Sequence, residues 1–125
     1  MKKRFLFILL FVPLSLYLFG DNEAAQQINL EYQHQHGSHT EYFDPADKPE
    51  VYYDRDNQEI ILVADGFASS YDVDIFSMSS MQCVLYTTIS GYGDTIDVSS
   101  LPDDDYKIVI STPYHNIYEG YFTNY

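Results

Sequence analysis

From Pro49 onward, apolar and polar residues alternate in short runs, each closed by turn-forming residues about every eight to twelve positions. Residues 51–53 lead through Asp54-Arg55-Asp56-Asn57-Gln58 into the apolar run 60–63, the pattern of a hairpin. Tyr71, Val73 and Ile75 alternate with Asp72 and Asp74, which gives a strand with one buried and one wetted face. Residues 77–80 make a turn before the run 83–89, Gly91-Tyr92-Gly93 breaks the chain again, and residues 95–98 alternate cleanly. Tyr106, Ile108 and Ile110 share a face opposite Lys107, and residues 113–116 turn the chain into a last run, 118–123. No segment repeats with helical period. Seven such strands predict an all-β protein, an immunoglobulin- or fibronectin-III-like sandwich of antiparallel strands.

One stretch speaks directly to that architecture. In Leu101-Pro102-Asp103-Asp104-Asp105-Tyr106, a leucine and a proline end one strand, and a tyrosine opens the next. This is the pattern of a tyrosine corner, in which the hydroxyl bonds back to the upstream backbone and pins the crossover between sheets. Leu101, Pro102 and Tyr106 are therefore the residues given a structural role. Before Pro49, residues 21–48 read as a polar lead-in with one short strand at 28–32, apolar at every second position. The run 60–63 is apolar on both faces, so one face meets the core and the other needs a cover, supplied by residues 28–32 or by a partner.

The first twenty residues divide from the rest. Lys2, Lys3 and Arg4 precede an apolar run over residues 5–19, interrupted only by Pro13 and Ser15. A membrane-spanning helix needs about 20 apolar residues, so the run is short for a span and matches a secretory signal peptide with its helix over residues 1–20. Gly20 and Ala24 both end imperfect cleavage patterns, and an uncleaved anchor stands as the alternative. A lipid anchor is disfavoured, since the only cysteine, Cys83, is remote from this run. The chain is thus expected to be exported, to the periplasm, the outer surface or the medium, with no stable membrane anchor after cleavage. Residues 49–125 form its one domain.

Charge then narrows the partners. The formal net charge is −13, and loss of residues 1–20 leaves Lys48, Arg55 and Lys107 against nineteen carboxylates, a formal −16. Such a surface repels nucleic acid and anionic membranes and favours cationic partners or divalent ions. Cys83 alone allows no intrachain disulfide, so packing must stabilise the domain. Its strand context reads as a small buried hydrophobe, with pairing between chains as the alternative. The thirteen tyrosines divide between core residues whose hydroxyls reach the surface and exposed ones such as Tyr92, Tyr114 and Tyr125.

These residues also carry a family resemblance. Tyr71-Asp72-Val73-Asp74-Ile75, the run from Thr95 through Leu101-Pro102 to Tyr106, and the terminal Gly120-Tyr121-Phe122 resemble a family of small, uncharacterised exported immunoglobulin-like β-sandwich proteins of Bacteroidetes. The same portion is similar to the carboxy-terminal sorting domains used there for secretion, although here the domain makes up the whole mature chain without cargo. The resemblance implies the sandwich fold and no catalytic residue. That family usually places glycine in the corner turn and in the turn after the Ile75 strand, where this chain has Asp104-Asp105 and Ser79-Ser80.

Candidate chemistry is sparse. His34 and His36 point the same way on an extended segment, and Gly37 lets His39 join them as a third imidazole for zinc or copper. No cysteine or fixed acid completes a closed site, so the segment reads as a solvated polar linker. Asp54, Asp56 and Glu59, and likewise Asp103-Asp104-Asp105, supply oxygens for calcium but lack the glycine of a dedicated loop. Asp72 and Asp74 stand about 6.8 Å apart along a strand, near the spacing of an inverting glycosidase, but on a wet face. A Cys83–His115 nucleophilic pair needs an exposed, activated thiol. Nucleophile-elbow, phosphate-loop and zincin motifs are absent. The expectation is a non-enzymatic exported module without cofactor. It would bind a protein or take part in envelope assembly, with a glycan- or divalent-cation-binding module as the alternative.

Overall fold

A computed structural model describes residues 25–33 and 45–125. The apolar run 5–19 and the three histidines His34, His36 and His39 lie outside them. The described chain is all-β, with nine strands in two antiparallel sheets. In chain order these are β1 (Ala25–Ile28), β2 (Glu31–Tyr32), β3 (Glu50–Asp54), β4 (Glu59–Val63), β5 (Ser70–Ser77), β6 (Cys83–Ser90), β7 (Gly93–Asp97), β8 (Asp104–Ser111) and β9 (Ile117–Asn124). One sheet runs β1-β3-β4-β7 and the other β2-β9-β8-β5-β6. The seven strands from β3 on are those the alternation predicts, arranged as an immunoglobulin-like sandwich.

The core follows from period-two alternation. Val51, Tyr53, Ile60, Leu62, Ile96 and Val98 point inward from the first sheet, and Tyr71, Val73, Ile75, Tyr106, Ile108, Ile110, Tyr118 and Phe122 from the second. Register aligns these rows: Ile75 stands opposite Ile108, and Val73 opposite Ile110. Asp72 and Val109, shifted by one, face outward and are less buried, because neighbouring side chains on a strand take opposite faces.

The amino-terminal strand differs from the expectation. Residues 28–32 do not form one strand over the outer face of β4. The chain pairs with β3 up to Ile28, crosses at Asn29-Leu30, and pairs with β9 at Glu31 and Tyr32. Ile28 and Leu30 turn inward and close one side of the core, so Val63 on β4 keeps 43% of its surface exposed. Gly120 makes the crossing possible: a Cβ there would stand 2.6 Å from Ile28 Cγ2 and 3.0 Å from the Asn29 carbonyl oxygen. The sandwich thus takes both of these strands from before Pro49.

At the opposite end, the corner is held twice. The Tyr106 hydroxyl donates to the Pro102 carbonyl at 2.5 Å. Asn124, fully buried on β9, donates to the Val98 and Leu101 carbonyls at 3.2 and 3.1 Å and accepts from the Tyr53 hydroxyl at 2.6 Å. Phe122 stacks between Tyr53 and Tyr106, with ring centres 5.2 and 5.4 Å away. Asp104 and Asp105 lie within β8 and not in the turn before it. In the turn after β5, Met81 takes the left-handed backbone conformation (φ 61°), a position where glycine carries no Cβ penalty.

Replacing Tyr106 by Phe is expected to lower stability by about 1 kcal/mol, since the Pro102 carbonyl loses its partner. Ile108→Ala should cost about 2–5 kcal/mol as a core truncation. Val109→Ala should cost clearly less than Ile108→Ala. Urea denaturation midpoints of the three variants check all three values, and the reverse order for 108 and 109 would contradict the register.

Candidate functional site

Three loops meet at one end of the sandwich: 64–69 between β4 and β5, 91–92 between β6 and β7, and 112–116 between β8 and β9. Backbone bonds tie the first two, from Gly66 N–H to the Gly91 carbonyl (3.0 Å) and from Gly91 N–H to the Ser69 carbonyl (3.1 Å). Gly66 adopts φ +89°, and a Cβ there would fall 2.5 Å from the Tyr92 ring, so the ring lies directly on its backbone. The third loop joins through Tyr114, whose ring tilts against Phe67 with centres 5.4 Å apart. Its hydroxyl also points to the Phe67 carbonyl at 3.4 Å. Phe67, Tyr92 and Tyr114 are 51%, 75% and 54% exposed, so three aromatic rings from three loops stand at this end.

Beneath them lies a carboxylate with almost no exposure. Asp47, 1% exposed, accepts from the Tyr118 hydroxyl (2.5 Å), the Thr112 hydroxyl (2.6 Å) and the Asn116 side-chain amide (3.0 Å). Its own carbonyl accepts from the Tyr71 hydroxyl at 3.1 Å, and the Tyr32 hydroxyl donates to Asn116 Oδ1 at 3.0 Å. Burial pushes the Asp47 carboxyl up, but the bonds from Thr112, Tyr118 and Asn116 outweigh it and hold the group below its ordinary value of 3.8. Burial, together with the charges of Asp47 and Asp65, raises the Tyr71 phenol, which keeps it a donor. His115 in the same loop takes φ 68°. With Thr112 N–H bonded to the Asn116 carbonyl, the 112–116 turn is closed and tied to β5, β9 and the segment before β3.

The other candidates from the sequence are placed as follows. Asp54 is buried and accepts from Asn57 N–H (3.3 Å) and the Asn57 side-chain amide (2.8 Å), which shapes the β3–β4 turn. Glu59 lies between Asp54 and Asp97 in the ladder, and burial plus those two charges raise its pKa. Asp104 accepts from Ser77 (2.7 Å) and Ser79 (2.6 Å), and Asp105 from Thr123. Among the described residues, no group of three or more His, Cys, Asp or Glu is set to hold a metal ion. Asp72 and Asp74 face outward on β5, with Thr88 donating to Asp72 at 2.8 Å. Cys83 is exposed, contrary to the buried reading, because β6 is the edge strand of its sheet and no strand among the described residues pairs beyond it there. His115 stands at the other end of the sheet, roughly 20 Å away along strands of this length, so the two do not form a pair.

Sequence reasoning missed Asp47 and Phe67. Asp47 sits between Pro45 and Pro49 as one more acid of a linker, and its partners lie 65 to 71 positions away. Phe67 had a legible signal, an aromatic residue directly after the breaker pair Asp65-Gly66. Away from the loop end, a cleft of about 270 Å³ lined among others by Gln26, Tyr53, Arg55, Tyr121 and Tyr125 opens between β1 and β9. Arg55 there stands 5.9 Å over the Tyr125 ring.

No family model matches the chain, and no curated protein matches it. Among solved structures, it is similar to a DUF3244-family protein with an immunoglobulin-like β-sandwich fold from Bacteroides vulgatus ATCC 8482. The TM-score is 0.62 at 19% identity, over 81% of this chain and 99% of that one. The likeness is one of fold, the fold that the resemblance to exported Bacteroidetes sandwiches implies.

Asp47→Ala should destabilise by about 3 kcal/mol, because two buried donors and one half-buried donor lose their acceptor. The lowered pKa also sets a pH dependence. The contribution of Asp47 is complete above the unfolded value near 3.8 and is lost as pH falls through the lower folded value. In denaturation curves between pH 7 and pH 2, the gap between wild type and Asp47→Asn is therefore expected to narrow only below about pH 4.

Proposed function

We propose that this chain is an exported, non-enzymatic module that binds another protein of the cell envelope through the loop end carrying Phe67, Tyr92 and Tyr114. The observation that carries the reading is the pairing of three half-exposed or exposed aromatic rings with a rigid base. Tyrosine offers a large amphipathic contact area at a low entropic cost, and aromatic residues are enriched at interface centres. The Asp47 network keeps the 112–116 loop in one conformation, so little ordering is required when a partner docks. Loops at one end of an immunoglobulin-like sandwich are a common place for recognition. Export rests on the basic and apolar pattern of residues 2–19.

A second reading is a small-ligand module, favoured by the cleft between β1 and β9. Tyr53, Tyr121 and Tyr125 give it aromatic surface, and Gln26, Gln27 and Arg55 give it polar groups, a combination suited to a glycan. The acidic clusters support a dedicated cation site less well, because Asp54, Asp104 and Asp105 already accept bonds from neighbouring side chains.

Site-specific photo-crosslinking in the producing cell tests the first reading. Benzoylphenylalanine at position 92 or 114 should yield one discrete protein adduct. The same probe at Met81, exposed at the other end, should yield none. An adduct from position 81 and none from 92 or 114 would reject the loop end. For the second reading, a glycan at one hundred times its Kd should add about 2.7 kcal/mol and raise the melting temperature by several degrees. A Tyr125→Ala variant should lose that shift.

A further inference from the structure

Of the four sheet edges formed by the described residues, three are blunted. β1 has four residues and β2 two, while β7 has five, with Asp94 and Asp97 among them. Short strands and charges of this kind protect an edge from pairing with other chains. β6 differs. It is eight residues long, Cys-Val-Leu-Tyr-Thr-Thr-Ile-Ser, with no charge, proline or glycine. Its pairing with β5 is irregular only near Cys83, and a continuous ladder runs from Leu85 to Ser90. On its far side, β6 has no paired strand among the described residues.

We infer that this open edge takes up an extended, cationic segment of another polypeptide as an added strand. Backbone pairing supplies affinity that is independent of sequence, and the two faces of β6 supply selectivity. Leu85, Thr87 and Ile89 lie on the core side, in register with Ile75, Val73 and Tyr71, so the added strand meets an apolar layer there. On the outer side stand Val84, Tyr86 and Thr88, with Asp74 and Asp72 one strand further in. An added strand lies about 10 Å from those carboxylates, within reach of a lysine or arginine side chain leaning over β6. Tyr86, 60% exposed, offers its ring to the same cation.

Charge decides the kind of occupant. β5, β6 and β7 together carry four aspartates, Asp72, Asp74, Asp94 and Asp97, and no basic residue. Lys107, on β8, is already placed 5.3 Å over the Phe76 ring. A second copy of this chain would bring the same carboxylates and a further formal charge of −13. A strand with apolar residues inward and lysine or arginine outward complements both faces. The site is separate from the loop end, and each can fail without the other.

Amide hydrogen exchange on the full chain tests the inference, using two blocked eight-residue peptides, one alternating lysine with valine and one alternating glutamate with valine. The lysine peptide should slow exchange roughly tenfold or more at alternate amides between Leu85 and Ser90, and the glutamate peptide should not. The double variant Asp72→Asn, Asp74→Asn should weaken lysine-peptide binding about threefold to tenfold at low salt, with less difference at high salt. Tyr114→Ser should leave β6 protection unchanged, which separates this site from the loop end. Equal protection by both peptides, or binding without protection on β6, would overturn the inference. So would sedimentation as a dimer with β6 already protected, which would make the edge an interface between copies of this chain.

Discussion

The buried Asp47 carboxylate is the interaction on which the arrangement of the loop end depends. A charge removed from water is costly unless it is well hydrogen-bonded, and here Tyr118, Thr112 and Asn116 supply three donors. The geometry that satisfies the carboxylate also fixes the short segment before β3 against β9 and the β8–β9 turn. Tyr71 extends the lock to β5 through the Asp47 carbonyl. The loop that carries Tyr114 is thereby fixed, while the backbone bonds among Gly66, Ser69 and Gly91 hold together the loops that carry Phe67 and Tyr92.

A matching device works at the other end. Asn124 distributes its bonds among Tyr53, Val98 and Leu101, and Tyr106 closes on Pro102. Each end of the sandwich therefore has one buried polar side chain that ties both sheets together. With one cysteine in the chain and no disulfide possible within it, these networks and the tyrosine-rich core serve where many small exported domains use bridges. Buried polar groups of this type favour one arrangement of strands over others, because any other arrangement leaves them unpaired.

The surface is uneven in a way that bears on recognition. Carboxylates dominate it, yet the longest open edge among the described residues carries no charge, and three exposed aromatic rings, Phe67, Tyr92 and Tyr114, gather at one end. The edge offers backbone groups flanked by negative charge, whereas the loop end offers apolar area over a closed hydrogen-bond network. The two proposed contacts thus rest on different chemistry, strand pairing at the edge and ring contacts at the loop end.

The strands from β3 to β9, their inward rows and the Tyr106 corner were legible in the chain, because alternation between faces is a local property with a period of two residues. Tyr71, Val73 and Ile75, and Tyr106, Ile108 and Ile110, declare their faces without reference to any other strand. Sheet order is not local, and so the exposure of Cys83 was not legible: the run 83–89 looks the same at an edge as at a centre. The crossing at Asn29-Leu30 was hidden for the same reason, since it depends on the space left by Gly120 some ninety positions later. Asp47 and Asn124 were hidden most completely. A polar residue in a linker or at a strand end becomes a buried anchor only through partners brought to it by tertiary packing. The sequence by itself determined the strands and their faces, and the tertiary structure decided which polar groups are buried and which edge stays open.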